Sequence, residues 1–367
     1  MPGSGSAMSI SVVIPNFNHG ALLPRAVSAL MRQNPTPQEI IIIDDGSTDN
    51  SPAVIRSLQA SLSCIHAIQH KENKGVVVAM NEGLRVATGD FVYFAAADDF
   101  CLPPLFATAE SALGRFRQAA FFCGRVVMLD PSGNILGFRP FMLPCPRAAL
   151  LTPTDARDRL AVSDHWCVGP AVIYRRDRLL EAGGFDETMG AFTDGLIVRR
   201  LALKYGFYFD PAVVVAWQIS PQSVSARTAL SLAENTKLIA RACAAVRATF
   251  PADVSESYAE LLDRRLRFNM ARLWLVFANG SIDTAGLAQV LRLTGLARAV
   301  LQILGHLPFA RYTVLIWMTL LLRPYGIGTV LAGSYRAMKS KWFEGRTIAA
   351  TIAKTREPIP VSEVSRS

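Results

Sequence analysis

The chain reads as an α/β protein: a mostly parallel central sheet with helices on both faces, followed by an all-helical region. Three observations carry that reading. Short apolar runs alternate with helix-spaced apolar residues through the first hundred positions. Each of those runs stops abruptly at polar or acidic residues, as strands do at a sheet rim. From residue 226 onward only helical spacing remains.

The elements follow in order. Residues 10–14 form a first strand, closed by Pro15-Asn16-Phe17-Asn18, and Leu22, Leu23, Ala26, Val27, Leu30 and Met31 recur at helical spacing. A second strand, 39–43, ends in Asp44-Asp45-Gly46, and Val54, Ile55 and Leu58 mark the next helix. Residues 64–69 are a third strand, and Asn73-Lys74-Gly75 opens a helix carrying Val76, Met80 and Leu84. The run 91–97 is a fourth buried strand that delivers Asp98 and Asp99 to the same rim. A helix to about residue 118 follows, then a hairpin of 120–129 with 135–138 around Asp130-Pro131-Ser132-Gly133. Residues 140–153 read as a Pro-rich surface loop, 171–174 as a strand, 178–182 as a short helix stopped by Gly183-Gly184, 193–205 as a helix and 211–217 as a last strand. Helices are expected over 226–249, 255–278, 284–305, 308–322 and 327–343.

The change of pattern near 220–226 divides the chain into a flexible leader (1–8), an α/β domain (9–222), a basic apolar helical region (223–349) and a disordered tail (350–367). Residues 235–349 hold 15 Lys and Arg against 6 Asp and Glu, so this region carries the net charge of +9 while the remainder balances. That imbalance points to an anionic partner. Nucleic acid fits poorly, because the cations are interleaved with bulky aliphatics rather than lining a polar face. Trp, Tyr and Arg at the edges of short apolar helices suit a membrane interface, and packing on a second subunit, as in a homo-oligomer, is the other reading. No apolar run reaches the roughly 18–20 residues of a membrane span. The six cysteines are scattered, which argues for reduced thiols and a cytoplasmic setting.

Three strand ends thus bring Asn16 and Asn18, Asp44 and Asp45, and Asp98 and Asp99 to one rim. Carboxylates gathered with few cations suit Mg²⁺ or Mn²⁺ shared with phosphate oxygens. The competing reading of Asp44–Asp49 is turn and helix-cap chemistry, and Thr193 and Asp194 equally suit a helix N-terminus.

In its ordered motifs the chain resembles the family-2 glycosyltransferases of GT-A fold. The motifs are Val12-Val-Ile-Pro-Asn-Phe-Asn18, Ile41-Ile-Ile-Asp-Asp-Gly-Ser-Thr-Asp49, Asn73-Lys-Gly75 with Asn81-Glu-Gly83, and Ala87-Thr-Gly-Asp90. Ala97-Asp-Asp99 and Gly183-Gly-Phe-Asp-Glu187 followed by Asp194 complete the set. The resemblance covers roughly residues 9–220. It implies that Pro15, Asn16, Phe17 and Asn18 line a nucleotide pocket, that Asp45 with Asp44 contacts the base, and that Asn73, Lys74 and Gly75 lie against the nucleotide. It implies ribose contact by Asp98, metal ligation by Asp99 and a general-base role for Asp194. The expected reaction is sugar transfer with inversion from a nucleoside-diphosphate sugar, a UDP-sugar first. The acceptor would be a saccharide or lipid-linked saccharide in bacterial surface-glycan assembly, at the inner face of the cell membrane.

The pattern is departed from at Ala96, where relatives often have an acid, at Met80 in place of Arg, at Thr193 in place of an acid, and at Ser220 in place of His. The Gln-x-x-Arg-Trp motif of processive relatives is absent, which implies one sugar per encounter. His165 and Trp166 are placed on the acceptor side, the alternative being a packed aromatic beside a surface His. Two rival functions remain: a GT-A-like module that binds nucleotide or glycan without chemistry, and a nucleotidyltransferase, which lacks its Gly- and Arg-rich loop here.

Overall fold

The computed structural model describes residues 9–164, 166–219, 232–277 and 282–356. Ten strands among these residues form a single sheet. They are β1 (Ile10–Asn16), β2 (Glu39–Asp44), β3 (Ile65–Gln69), β4 (Phe91–Phe94), β5 (Phe100–Cys101), β6 (Phe121–Leu129), β7 (Ile135–Arg139), β8 (Ala149–Leu151), β9 (Val172–Arg175) and β10 (Phe207–Gln218). The order is β3-β2-β1-β4-β9-β6-β10-β5, with β7 beside β6 and β8 beside β10.

The first four strands pair in parallel, as their βαβ succession requires. Beyond them the sheet is mixed. β9 runs antiparallel between β4 and β6, and β5, β7 and β8 also pair antiparallel; only β6 with β10 is parallel. Only β7 joins its partner β6 through a hairpin, which needs no crossover helix; β5, β8 and β9 meet partners distant along the chain.

Strands β1, β2 and β4 are buried on both faces, which is why they read as unbroken apolar runs. Val13, Ile41, Ile43, Val92 and Phe94 face one core, while Val12, Ile14, Ile40, Ile42 and Tyr93 face the other. Each such side chain contributes about 1.5–3 kcal/mol. Strand β4 is shorter than expected, and Pro15 supplies the reason. Val13 carbonyl accepts from the Ala95 N–H at 2.9 Å; the next rung of a parallel ladder would need an N–H from residue 15, which proline lacks. The chain turns there, so Asp98 and Asp99 sit between β4 and the antiparallel β5 rather than leading straight into a helix.

Fourteen helices are described. Those of the sheet layer are α1 (Leu23–Met31), α2 (Ser51–Ser61), α3 (Val76–Val86), α4 (Leu105–Arg115), α5 (Pro153–Val162), α6 (Arg176–Glu181) and α7 (Thr193–Tyr205). Helix α5 lies just past the expected loop 140–153, and a capping box starts it. The Thr152 hydroxyl accepts from the Asp155 N–H, and the Asp155 carboxylate accepts from the Thr152 N–H. The later helices are α8 (Leu232–Thr249), α9 (Ala252–Phe277), α10 (Thr284–Val290), α11 (Gly295–Gly305), α12 (Ala310–Leu322), α13 (Ile327–Phe343) and α14 (Gly345–Arg356). The stretch 284–305 therefore breaks into two helices, and α14 occupies residues 350–356, where a disordered tail was expected. Ile352 on α14 is buried against Phe100, Val127, Leu129 and Ala216.

The boundary near residue 222 separates two sequence patterns but not two cores. Ile239, Ala242 and Val246 of α8 and Tyr258 and Leu262 of α9 belong to the same apolar cluster as Val13 and Phe94. No helix among the described residues is long and apolar enough to cross a membrane.

Candidate functional site

A cleft of about 260 Å³ opens at the carboxyl rim of β1 and β4. Its floor is aromatic: Phe94 meets Phe185 edge-on at 4.9 Å between ring centres, with Tyr174 beside both. Pro15, Ala95, Ala96 and Met80 form one wall. Gly169, Pro170 and Asp194 form the other, with Tyr93 Oη donating to the Pro170 carbonyl at 2.9 Å to hold that turn in place.

Asp194 sits in the first turn of α7. Its Oδ1 accepts from the Gly195 N–H at 2.6 Å, and its Oδ2 lies against Gly169, where a Cβ would overlap it. Burial pushes its carboxyl above the ordinary aspartate range, against the opposing pull of the Gly195 amide and the Arg199 guanidinium. A carboxylate poised this way, half-exposed at a cleft, is a proton acceptor in waiting.

Asp99 is buried, and its Oδ1 accepts from the Gln218 N–H at 2.9 Å, tying the turn after β4 to the end of β10. Burial first, and then the neighbouring Asp98, push its carboxyl well above the ordinary range; the Gln218 amide and Arg25 pull the other way. Asp98 is half-buried. Ala96 borders the cleft, whereas Asp99 is not among its lining residues. No cluster of three or more metal-binding side chains occurs among the described residues. Two adjacent carboxylates, one of them buried, are nonetheless a donor set that a divalent cation relieves, provided substrate oxygens complete the shell.

The Asn16–Asn18 and Asp44–Asp45 segments are locked together. Asn16 Nδ2 donates to Asp44 Oδ1 at 3.0 Å and to Ser47 Oγ at 3.2 Å. Asn18, at φ 56°, accepts through Oδ1 from the Thr48 and Asp49 amides. Phe17 is exposed. Asp45 is buried with both oxygens engaged: Oδ1 meets His70 Nδ1 at 2.7 Å and accepts from the Lys74 N–H at 2.8 Å, while Oδ2 accepts from the Gly75 N–H at 2.8 Å. Asp45 thus shapes the Asn73-Lys74-Gly75 turn, and Asp44 anchors the Asn16 side chain. Asn73 and Lys74 themselves are exposed and accessible to a ligand.

The placement of Trp166 is corrected. It is 1% exposed and stacks on Phe207 at 4.6 Å, deep in the core, so it offers no face to an acceptor. Its sequence neighbour His165, and Ser220, lie outside the described residues.

Three contributors escape sequence reasoning. Gly169 gives Asp194 its room. His70, with no metal-ligand spacing, instead bridges Asp45 and Glu82, the latter at 2.6 Å. Asn81 clamps the Gly183-Gly184-Phe185 loop, donating to the Phe185 carbonyl at 2.8 Å and accepting from its N–H at 2.9 Å. Only Asn81 carried a signal, as part of the Asn81-Glu82-Gly83 motif.

Residues 11–179 match the family model described as glycosyl transferase family 2. An uncharacterised glycosyltransferase of Nostoc sp. is 42% identical over 219 residues, 58% of this chain and 56% of that protein. The chain spans about half or less of the length of the first curated relatives it matches. Among solved structures, TarS of S. aureus in complex with UDP-GlcNAc superposes with a TM-score of 0.57 at 17% identity, covering 92% of each chain. The mannosyltransferase PcManGT of Pyrobaculum calidifontis, in complex with GDP-Man and Mn²⁺, gives a TM-score of 0.54 at 18% identity, covering 93% of this chain and 90% of that one. These likenesses show the fold.

Proposed function

From the match of residues 11–179 to glycosyl transferase family 2 and from the GT-A fold, we propose that the chain transfers a sugar from a nucleoside-diphosphate donor to an acceptor hydroxyl with inversion. The observation that carries this reading is Asp194: a half-buried carboxylate of raised pKa that lines the cleft together with Pro15 and Ala96 of the sheet rim.

The acceptor hydroxyl gives its proton to the Asp194 carboxylate as its oxygen attacks the anomeric carbon. The bond from that carbon to the diphosphate oxygen breaks on the opposite side, and its electron pair leaves with the nucleoside diphosphate. One displacement inverts the anomeric centre. The Gly195 N–H fixes Oδ1, which leaves Oδ2 beside Gly169 as the accepting oxygen. Pro15, Asn16, Phe17, Asn18, Asp44, Asp45, Asn73, Lys74, Gly75 and Asp98 are assigned to the nucleotide, Asp45 also holding the Lys74 and Gly75 amides in place. Asp99, with Asp98 beside it, would hold Mg²⁺ or Mn²⁺, which supplies charge neutralisation for the departing diphosphate.

The donor is assigned as a UDP-sugar, in keeping with the UDP-GlcNAc bound by TarS, and the acceptor as a saccharide or lipid-linked saccharide in bacterial surface-glycan assembly at the inner membrane face. Residues 9–222 are assigned to donor binding and chemistry, and 223–349 to support and attachment. The test is Asp194→Asn, with radiolabelled sugar transfer and calorimetric UDP binding measured together. Transfer should fall by about 10²–10⁴-fold with UDP binding retained; full transfer in this variant overturns the base assignment.

A further inference from the structure

The helices after residue 283 take no part in the cleft, yet their surface is unlike the rest of the molecule. Over residues 284–343 the sequence holds seven Lys and Arg and no Asp or Glu. Helices α11 and α12 pack together through Leu301, Val314 and Met318, all fully buried. Their other faces are apolar and exposed: Leu296 at 81% and Ile303 at 63% on α11, Phe309 at 80% on the turn, and Tyr312, Ile316 and Leu320 at 69, 61 and 55% on α12. Positions 312, 316 and 320 recur every fourth residue and so form one stripe. Of the 17 large apolar side chains exposed among the described residues, 11 fall between Leu296 and Met338. An apolar face of that extent marks an interaction surface.

We propose that the α11–α12 face seats this protein on an anionic phospholipid surface, with Arg292 and Arg298 taking headgroup phosphates. Both arginines line a hollow of about 610 Å³ where α10 gives way to α11. The one carboxylate lining that hollow, Asp283, is committed to capping α10 through the Gly286 N–H at 2.9 Å, and Asp263, 3.9 Å from Arg292, has both oxygens accepting from Arg267 at 2.7 and 2.9 Å. Charge decides the occupant. A second copy meeting this face would set cations against cations, whereas an anionic bilayer neutralises them and receives the apolar stripe in its interfacial layer. No described helix can span, so the chain lies on the surface rather than crossing it. This inference rests on the glycosyltransferase reading only for what is delivered to the membrane; the contact itself is independent of turnover.

The test is co-sedimentation of the full chain with sucrose-loaded vesicles of phosphatidylcholine, alone or mixed with phosphatidylglycerol. The mixed vesicles should bind it at least roughly tenfold better. Ile316→Ser with Leu320→Ser should abolish binding. Arg292→Gln with Arg298→Gln should erase the preference for the anionic lipid, and millimolar inorganic phosphate should not compete. All four positions are at the surface, and an unchanged melting temperature and UDP affinity in each variant keep a folding fault, or a failure of the catalytic reading, distinct. Absence of binding, equal binding to both vesicles, or displacement by inorganic phosphate overturns the proposal. So does a vesicle-free dimer, seen by sedimentation velocity, that Ile316→Ser dissociates.

Discussion

The base role proposed for Asp194 needs room at Oδ2, and Gly169, which lies against that oxygen without a Cβ, leaves it. Gly169→Ala places a methyl group against Oδ2, so transfer kcat should fall by about 10–100-fold while the Kd for UDP, measured by calorimetry, stays unchanged. Burial holds the Asp194 carboxyl above the ordinary range. The base is lost when it is protonated, so activity should decline as pH falls through that raised value. The acid limb of the kcat/KM profile should therefore lie above the usual carboxylate pKa of about 3.9, and a limb at or below it would remove Asp194 from the role. Asp194 was legible in the sequence because it follows the Gly183–Glu187 motif. Gly169 was not, since a glycine before a proline says nothing until the residue facing it is known. Trp166 was misread for a related cause: whether an aromatic faces a cleft or a core depends on which layer its loop enters, and Phe207 lies 41 positions away.

The turn that opens α3 depends on a buried chain of groups, Asp45–His70–Glu82. The Asp45 hydrogen bond raises the His70 pKa, against burial and with help from Glu82. Burial alone would raise Asp45, but the His70 ring and the Lys74 and Gly75 amides hold it below its usual range. The signs then fix a window. His70 gives its full contribution below the unfolded histidine pKa of about 6.5 and loses it as pH climbs through its raised folded value. Asp45 contributes above the unfolded carboxylate pKa and loses its share as pH falls through its lowered one. The protein should be most stable between the two, and His70→Gln should cost about 1–3 kcal/mol in urea unfolding at pH 6 and flatten the alkaline decline. An unaltered pH profile in that variant would deny His70 its charge. Most elements were legible at this scale, because strands buried on both faces read as apolar runs and helices as spaced ones. The sheet's second half was not: strand direction there is set by pairings whose partners lie far along the chain.

Asp164 joins the α/β layer to the helices that follow it. Its Oδ2 accepts from Tyr258 Oη at 3.0 Å and lies 3.7 Å from Arg199 Nη2 and 3.6 Å from Arg265 Nη1. Arg265, 1% exposed, also donates to the Leu160, Ala161 and Pro324 carbonyls. Asp164→Leu would strand two buried guanidinium groups and should destabilise the protein by about 3–5 kcal/mol. Chemical unfolding should remain one transition, because Tyr258 and Val246 share a core with Val13. A separate early transition for the helices would show two independent units instead. Truncation at residue 222 should for the same reason yield insoluble protein. The sequence showed where the pattern changes, but a change of pattern carries no information on whether a core continues across it.

The α13–α14 junction has a consequence in time. Arg125 donates to Ser340 at 3.0 Å and to Glu344 at 2.9 Å, across 215 and 219 residues of chain, and Ile352 covers Phe100, the residue after Asp99. Such distant contacts are slow to form, and these are made by residues synthesised well after those of the cleft. A nascent chain that already contains every cleft residue still lacks the support behind its acidic turn. The acidic turn therefore gains its backing only once α13 and α14 have been made and have docked.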